Sequence, residues 1–162
     1  MSDYEQRRQR MVDTQIASRG VRDRHVLDAM RGVPREAFVG EDMREFAYED
    51  SALPIEKEQT ISQPYIVALM IEAAEVRPGE RVLEVGAGSG YAAAVMGQIA
   101  GDVHAVERQA PLAERARERM ARLGYGNVKI HVGDGTTGWP DAAPFDAIIV
   151  SAGGPRVPEA RA

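Results

Sequence analysis

The sequence predicts an α/β protein built on a doubly wound parallel sheet. Two observations carry that prediction. Short apolar runs at 81–86, 102–107, 127–134 and 145–152 have strand length and are punctuated by Gly or Pro. Helical stretches lie between the first three, giving the order β-α-β-α-β-loop-β. Short connections of this kind make right-handed crossovers, so the strands should run parallel, in the spatial order 3-2-1-4.

Residues 1–60 read as a helical extension that ends in a loop, and 61–162 as the sheet domain. Met11, Val12 and Ile16 give the first helix a broken apolar stripe, which stops near Gly20. Asp23 can cap a second helix with Val26, Leu27 and Met30 inward. Pro34 suits the first turn of a short third one. Five acids in 41–50 point to an exposed connection, and 51–61 to an extended or looped segment. The apolar run after Gln63-Pro64 predicts a helix that ends before Pro78-Gly79. Small apolar residues from Tyr91 to Ala100 predict a helix packed tightly on the sheet, and Pro111 opens another that Gly124 ends. The Glu and Arg residues of 114–122 are expected as ion pairs on a solvated face.

Composition narrows the function. The chain has 162 residues with 44% hydrophobic, 28% charged and a net charge of −5, the balance of one folded domain. Cysteine is absent, which excludes thiolate nucleophiles and Cys-based metal sites. No cluster with metal-ligand spacing is evident. Residues 1–60 carry 10 basic and 13 acidic residues, and 61–162 carry 10 and 12, so neither part offers the positive surface nucleic acid needs. No run approaches a membrane span of about 20 apolar residues, and a cytoplasmic location is expected.

The chemistry centres on Glu84-Val85-Gly86-Ala87-Gly88-Ser89-Gly90, where a strand should turn into a helix. The dinucleotide fingerprint is G-x-G-x-x-G, whereas the spacing here is G-x-G-x-G with an acid two residues ahead. A carboxylate there suits a cationic ligand better than a pyrophosphate. S-adenosylmethionine, with its sulfonium and α-ammonium groups, fits; Glu84 would act through water or by fixing the loop. Glu107 ends the second strand, where an acid can accept both ribose hydroxyls. Asp134 ends the third, between Gly133 and Gly135, where it can accept from an adenine amino group or simply make an Asp-Gly turn. Three acids at three neighbouring strand ends converge on one crevice. Tyr65 and Tyr91 border the pockets or pack in the core, and Trp139 is expected to pack a loop. Ser62, read from its position alone, is a helix N-cap.

These residues resemble the class I S-adenosylmethionine-dependent methyltransferases, and more closely the bacterial protein-L-isoaspartate O-methyltransferases. The resemblance is carried by 11–39, 59–70, 81–96 and 133–153. Its specific parts are Thr60-Ile61-Ser62-Gln63-Pro64 and Gly133-Asp134-Gly135 followed by Gly138-Trp139-Pro140. It implies a Rossmann-like fold, S-adenosylmethionine as methyl donor and S-adenosylhomocysteine as product. Ser62 would be catalytic, and Thr60, Ile61, Gln63 and Pro64 would line the substrate pocket. The cofactor would be surrounded by Glu84, Gly86, Ala87, Gly88 and Gly90, and by Tyr91, Glu107, Arg108, Asp134 and Gly135. The family methylates the carboxylate of isoaspartyl residues in damaged proteins; the ester collapses to a succinimide that reopens partly to aspartate. An anionic nucleophile needs alignment rather than a strong base, and His25, His104 and His131 are scattered.

Complete members continue through a fifth strand and a closing pair. Here the sequence stops at Ala162, so the C-terminal strands are expected to be missing. An open edge at Ala147–Val150 would then favour a homodimer, with cofactor binding retained and turnover weakened. The rival readings are a methyltransferase for small molecules or nucleic acid, a cofactor-binding or assembly module without turnover, and an NAD oxidoreductase. Glycine spacing disfavours the last.

Overall fold

A computed structural model of the chain describes residues 2–151. Helix α1 (Asp3–Met11) starts in a capping box, with the Ser2 side chain accepting from the Glu5 N–H and the Glu5 carboxylate accepting from that of Ser2. It continues through a π turn (Val12–Ile16) and a 3₁₀ turn (Ala17–Arg19), and stops at Gly20 in the left-handed region. Met11, Val12 and Ile16 are buried, as the stripe predicts. Asp23 caps α2 (Arg24–Gly32), accepting from the N–H groups of His25 at 2.9 Å and Val26 at 3.4 Å.

Three local expectations change. Pro34 stands one residue ahead of a 3₁₀ turn (Arg35–Phe38) rather than inside it. The acidic stretch exposes all five acids as expected but is not irregular: Glu41–Phe46 wind into a 3₁₀ helix, with Met43 and Phe46 packed on the core and Ala47 and Tyr48 after it buried. The cap residue of α3 (Pro64–Ala73) is Gln63, not Ser62. Pro64 at the first helical position keeps the residue before it extended, which leaves Ser62 outside the helix. Between these helices, β1 (Leu53–Pro54) and β2 (Thr60–Ile61) form a two-residue antiparallel ribbon around the 55–59 loop.

The sheet comprises β3 (Arg81–Val85), β4 (Asp102–Glu107), β5 (Val128–Val132) and β6 (Ala147–Val150), in the order β5-β4-β3-β6, all parallel. That is the predicted 3-2-1-4 order. Helices α4 (Tyr91–Gly97) and α5 (Ala110–Leu123) make the crossovers. Register aligns the carboxyl ends: Val85 lies beside Val106 and Val150, and Glu107 beside Val132. Side chains alternate between faces, so Val82, Glu84, Ala105 and Glu107 share one face, and Leu83, Val85, His104 and Val106 the other.

The first face joins the N-terminal helices in one continuous core from Met11 to Ile149, which crosses the boundary at residue 60. On the second face Trp139 and Phe145 pack over Leu83, Val85 and Val106. Trp139 stacks on His131 at 4.1 Å, so it packs a loop as expected. Among the described residues β6 pairs with β3 on one side only. Residues 152–162, part of the expected dimer contact, lie outside the described residues. No described helix is long and apolar enough to cross a membrane.

Candidate active site

The glycine loop joins β3 to α4. Gly86, Gly88 and Gly90 have φ of 91°, 55° and 91°, a region other residues rarely adopt, so the G-x-G-x-G spacing is a backbone requirement. The third position has a second reason: a Cβ on Gly90 would lie 2.7 Å from Met120 Cε and 3.2 Å from Ala116 Cβ on α5. The loop's N–H groups are largely consumed within the protein. Those of Gly86 and Ala87 donate to the Val106 carbonyl at 2.9 and 3.1 Å, that of Gly90 to Ala87 at 2.9 Å, and that of Tyr91 to Ser89 Oγ at 3.2 Å. A pyrophosphate site needs such donors free. The loop therefore does not suit a dinucleotide phosphate, in line with its spacing.

Glu107 is 8% exposed and turned toward the loop. Its Oε1 accepts from the Gly88 N–H and its Oε2 from the Gln109 N–H, both at 2.9 Å. Each oxygen keeps a lone pair, so the carboxylate fixes the loop and can still accept from hydroxyls. Glu84 is fully buried on the same face. Ser151 Oγ donates to its Oε2, while Oε1 has no partner among the described residues. Burial pushes this carboxyl up to about 8, the Ser151 hydrogen bond opposes that, and the Glu107 charge adds to it. Glu84 is thus held neutral near pH 7, not as the carboxylate expected from sequence; a cation nearby would draw it back toward ionisation.

Asp134 is exposed, and its Oδ1 accepts from the Thr136 N–H at 2.9 Å, which holds its carboxyl below the usual range. It makes the Asp-Gly turn and leaves Oδ2 for other partners. Gly135 packs directly on β3: a Cβ there would lie 2.5 Å from Val85 Cγ1. Arg108 is exposed beside Glu107, and Ala87 is buried. The Tyr91 side chain is core rather than pocket wall, 1% exposed with its ring edge on Phe38 at 5.5 Å.

Residues 60–64 follow the ribbon whose tip meets this loop. Thr60 is exposed, Ile61 and Pro64 are buried, and Ser62 and Gln63 are half-buried. The Gln63 amide donates to Asp50 Oδ1. At the ribbon's tip, Ile55 Cδ1 comes within 4.0 Å of where a Gly88 Cβ would be. Glu56 then pairs with Arg115 at 2.6 Å and lies 3.8 Å from Arg119, tying the tip to α5.

Three residues here escaped the sequence reading. Arg119 is not on a solvated face: it is 7% exposed and its Nη1 donates to the Ser89 carbonyl at 3.0 Å. Ser151 reaches Glu84 only because β6 lies beside β3. Arg35, a lone cation among apolar neighbours, donates from Nη2 to the Ser62 carbonyl at 2.9 Å. Its apolar sequence context was the available signal. The histidines do not enter the site: His104 and His131 are joined at 2.8 Å on the sheet face opposite Glu107. Among the described residues no group of three His, Cys, Asp or Glu side chains is placed to hold a metal.

The sequence model of the protein-L-isoaspartate(D-aspartate) O-methyltransferases matches residues 6–162. The chain belongs to this family. A protein-L-isoaspartate O-methyltransferase of Rhodopseudomonas palustris is 64% identical over 149 residues, which are 92% of this chain and 68% of that protein. A solved protein-L-isoaspartate O-methyltransferase superposes with a TM-score of 0.87 at 36% identity, covering 94% of this chain and 50% of the other. A Plasmodium falciparum structure described as a family member, in complex with S-adenosyl-L-homocysteine, superposes at 0.80 with 26% identity, covering 94% and 77%. The chain spans about two thirds of the length of the curated relatives it matches and half of the first structure. The fold is that of the class I methyltransferases.

Proposed function

We propose that this chain transfers a methyl group from S-adenosylmethionine to the side-chain carboxylate of L-isoaspartyl residues in damaged proteins, as part of their repair. One observation carries the reading: Thr60 and Ile61 pair with Leu53 and Pro54 in a ribbon whose tip residue, Ile55, approaches the Gly88 turn that Glu107 holds. In this reading the substrate segment and the cofactor loop meet at that ribbon.

The residues fit the cofactor. Glu107 offers remaining lone pairs to a ribose, Asp134 offers Oδ2 to an exocyclic amine, and Glu84 supplies a buried, ionisable carboxyl under a cationic ligand. When bound, S-adenosylmethionine supplies an electrophilic methyl on sulfur. An isoaspartyl carboxylate, already anionic, would accept that methyl as the sulfur takes back the S–CH₃ electron pair. No proton moves, so the chain's task is to orient. Ser62 holds the carboxylate in line through its hydroxyl, and the ribbon over the loop helps to exclude water. A cytoplasmic location and a homodimer through the β6 edge belong to the same reading; the dimer is tested by sedimentation, where a monomer at high concentration counts against it.

The direct test is methyl transfer to an isoaspartyl peptide beside its aspartyl twin. Transfer to the first alone is expected. Equal transfer to both, or transfer only to small carboxylic acids, points to another acceptor. Binding of S-adenosylhomocysteine without any transfer points to a cofactor-binding module.

A further inference from the structure

Among the described residues Arg35 is the largest side chain with no solvent exposure. Burying a guanidinium forfeits its hydration, and a Leu or Met would fill similar space without that loss. No carboxylate forms an ion pair with it among the described residues. Two of its nitrogens take main-chain oxygens, Nε donating to the Ala47 carbonyl at 2.6 Å and Nη2 to the Ser62 carbonyl at 2.9 Å, while Nη1 has no hydrogen-bond partner among the described residues. The same guanidinium lies over the Tyr91 ring, 4.9 Å from its centroid. Ser62 belongs to the substrate segment, and Tyr91 is the first residue after the glycine loop. A single planar group therefore spans the two halves of the site.

The turn that carries Arg35 is itself held. The Arg35 N–H donates to Tyr48 Oη at 3.0 Å, and Tyr48 Oη donates to the Glu36 carboxylate. A guanidinium has its donors in a fixed fork, so its contacts set directions as well as distances. An ammonium could satisfy one carbonyl but not hold both in that geometry.

We propose that Arg35 is a positioning residue that fixes the main chain at Ser62 relative to the glycine loop, and so sets where the Ser62 hydroxyl meets the substrate carboxylate. This rests on the function proposed above. Arg35 touches neither substrate nor cofactor in this account; it acts through Ser62.

The test compares the wild type, Arg35→Lys, Ser62→Ala and the double variant, each as the full chain. Isoaspartyl-peptide kinetics, S-adenosylhomocysteine calorimetry and hydrogen–deuterium exchange are measured together. Arg35→Lys is expected to lose roughly ten- to hundredfold in kcat with KM changed less than about threefold. Affinity for S-adenosylhomocysteine should stay within about threefold of the wild type. In the Ser62→Ala background the same substitution should cost less than about threefold, because the group it positions is gone. Exchange across 59–66 should quicken while that of 81–85 does not change.

An equal loss in both backgrounds, or unaltered exchange at 59–66, overturns the proposal. Should Arg35→Lys fail to fold, Tyr48→Phe takes its place; it keeps the guanidinium but frees its turn, and is expected to show the same pattern at smaller amplitude. Unaltered exchange at 59–66 in that variant is then the overturning result. Lack of methyl transfer by the wild type would defeat the proposed function instead, and the exchange pattern alone would decide the role of Arg35.

Discussion

Replacing Glu84 by Gln should change how stability depends on pH. The Glu84 carboxyl is fully buried, with one oxygen accepting from Ser151 and the other unpartnered. Burial is the main reason it is raised from 4.5 to about 8. Between those values the unfolded chain has released a proton that the folded chain keeps. Stability therefore falls as pH rises through this window, by about 1.4 kcal/mol per unit. From pH 5 to 7.5 the loss is roughly 3 kcal/mol, a large share of the ~5–15 kcal/mol that holds a domain folded. Gln keeps an acceptor for Ser151 and cannot ionise, so this slope should vanish in Glu84→Gln. Urea unfolding at half-unit pH steps measures the effect. The variant should gain roughly 3 kcal/mol on the wild type between pH 5 and 7.5. A constant difference between the two proteins would refute the reasoning. A ligand cation above Glu84 reverses the sign for binding: wild-type affinity for S-adenosylmethionine should rise toward pH 8, and Glu84→Gln should flatten that rise.

Gly90→Ala places a Cβ 2.7 Å from Met120 Cε at a φ of 91°, and should lower stability by about 1–3 kcal/mol in a thermal melt. An unchanged melting temperature would mean α5 yields freely there. Arg119→Met leaves the Ser89 carbonyl without its donor, and should cost about 1–2 kcal/mol of stability and roughly tenfold in S-adenosylhomocysteine affinity. Values matching the wild type in both would show that the loop holds its shape alone.

The sheet was legible because its central strands β3 and β4 are buried on both faces, because all four read as short apolar runs, and because crossover handedness leaves few arrangements. The positions of Gly88 and Glu107 were legible for a related reason: they follow from where the strands end. The misreadings arose where tertiary contacts override local pattern. Arg119 has helix neighbours that make ordinary i,i+3 pairs, as Arg117 does with Glu114, and nothing local distinguishes the arginine that points inward at Ser89. The 3₁₀ helix at Glu41–Phe46 follows from Met43 and Phe46 finding the core, which five nearby acids obscure. Glu84 was placed at the right strand end, but its protonation depends on burial that only the packed sheet reveals.

The proposed function requires a nucleoside at the tips of β3 and β4, held by the carboxylate that also fixes the glycine loop. Titration calorimetry with S-adenosylhomocysteine, comparing the wild type with Glu107→Ala, tests it most directly. Saturable heat from the wild type and a loss of at least about tenfold in affinity from a still-folded Glu107→Ala are predicted. A folded wild type that gives no heat, or a variant that binds equally well, would contradict the account.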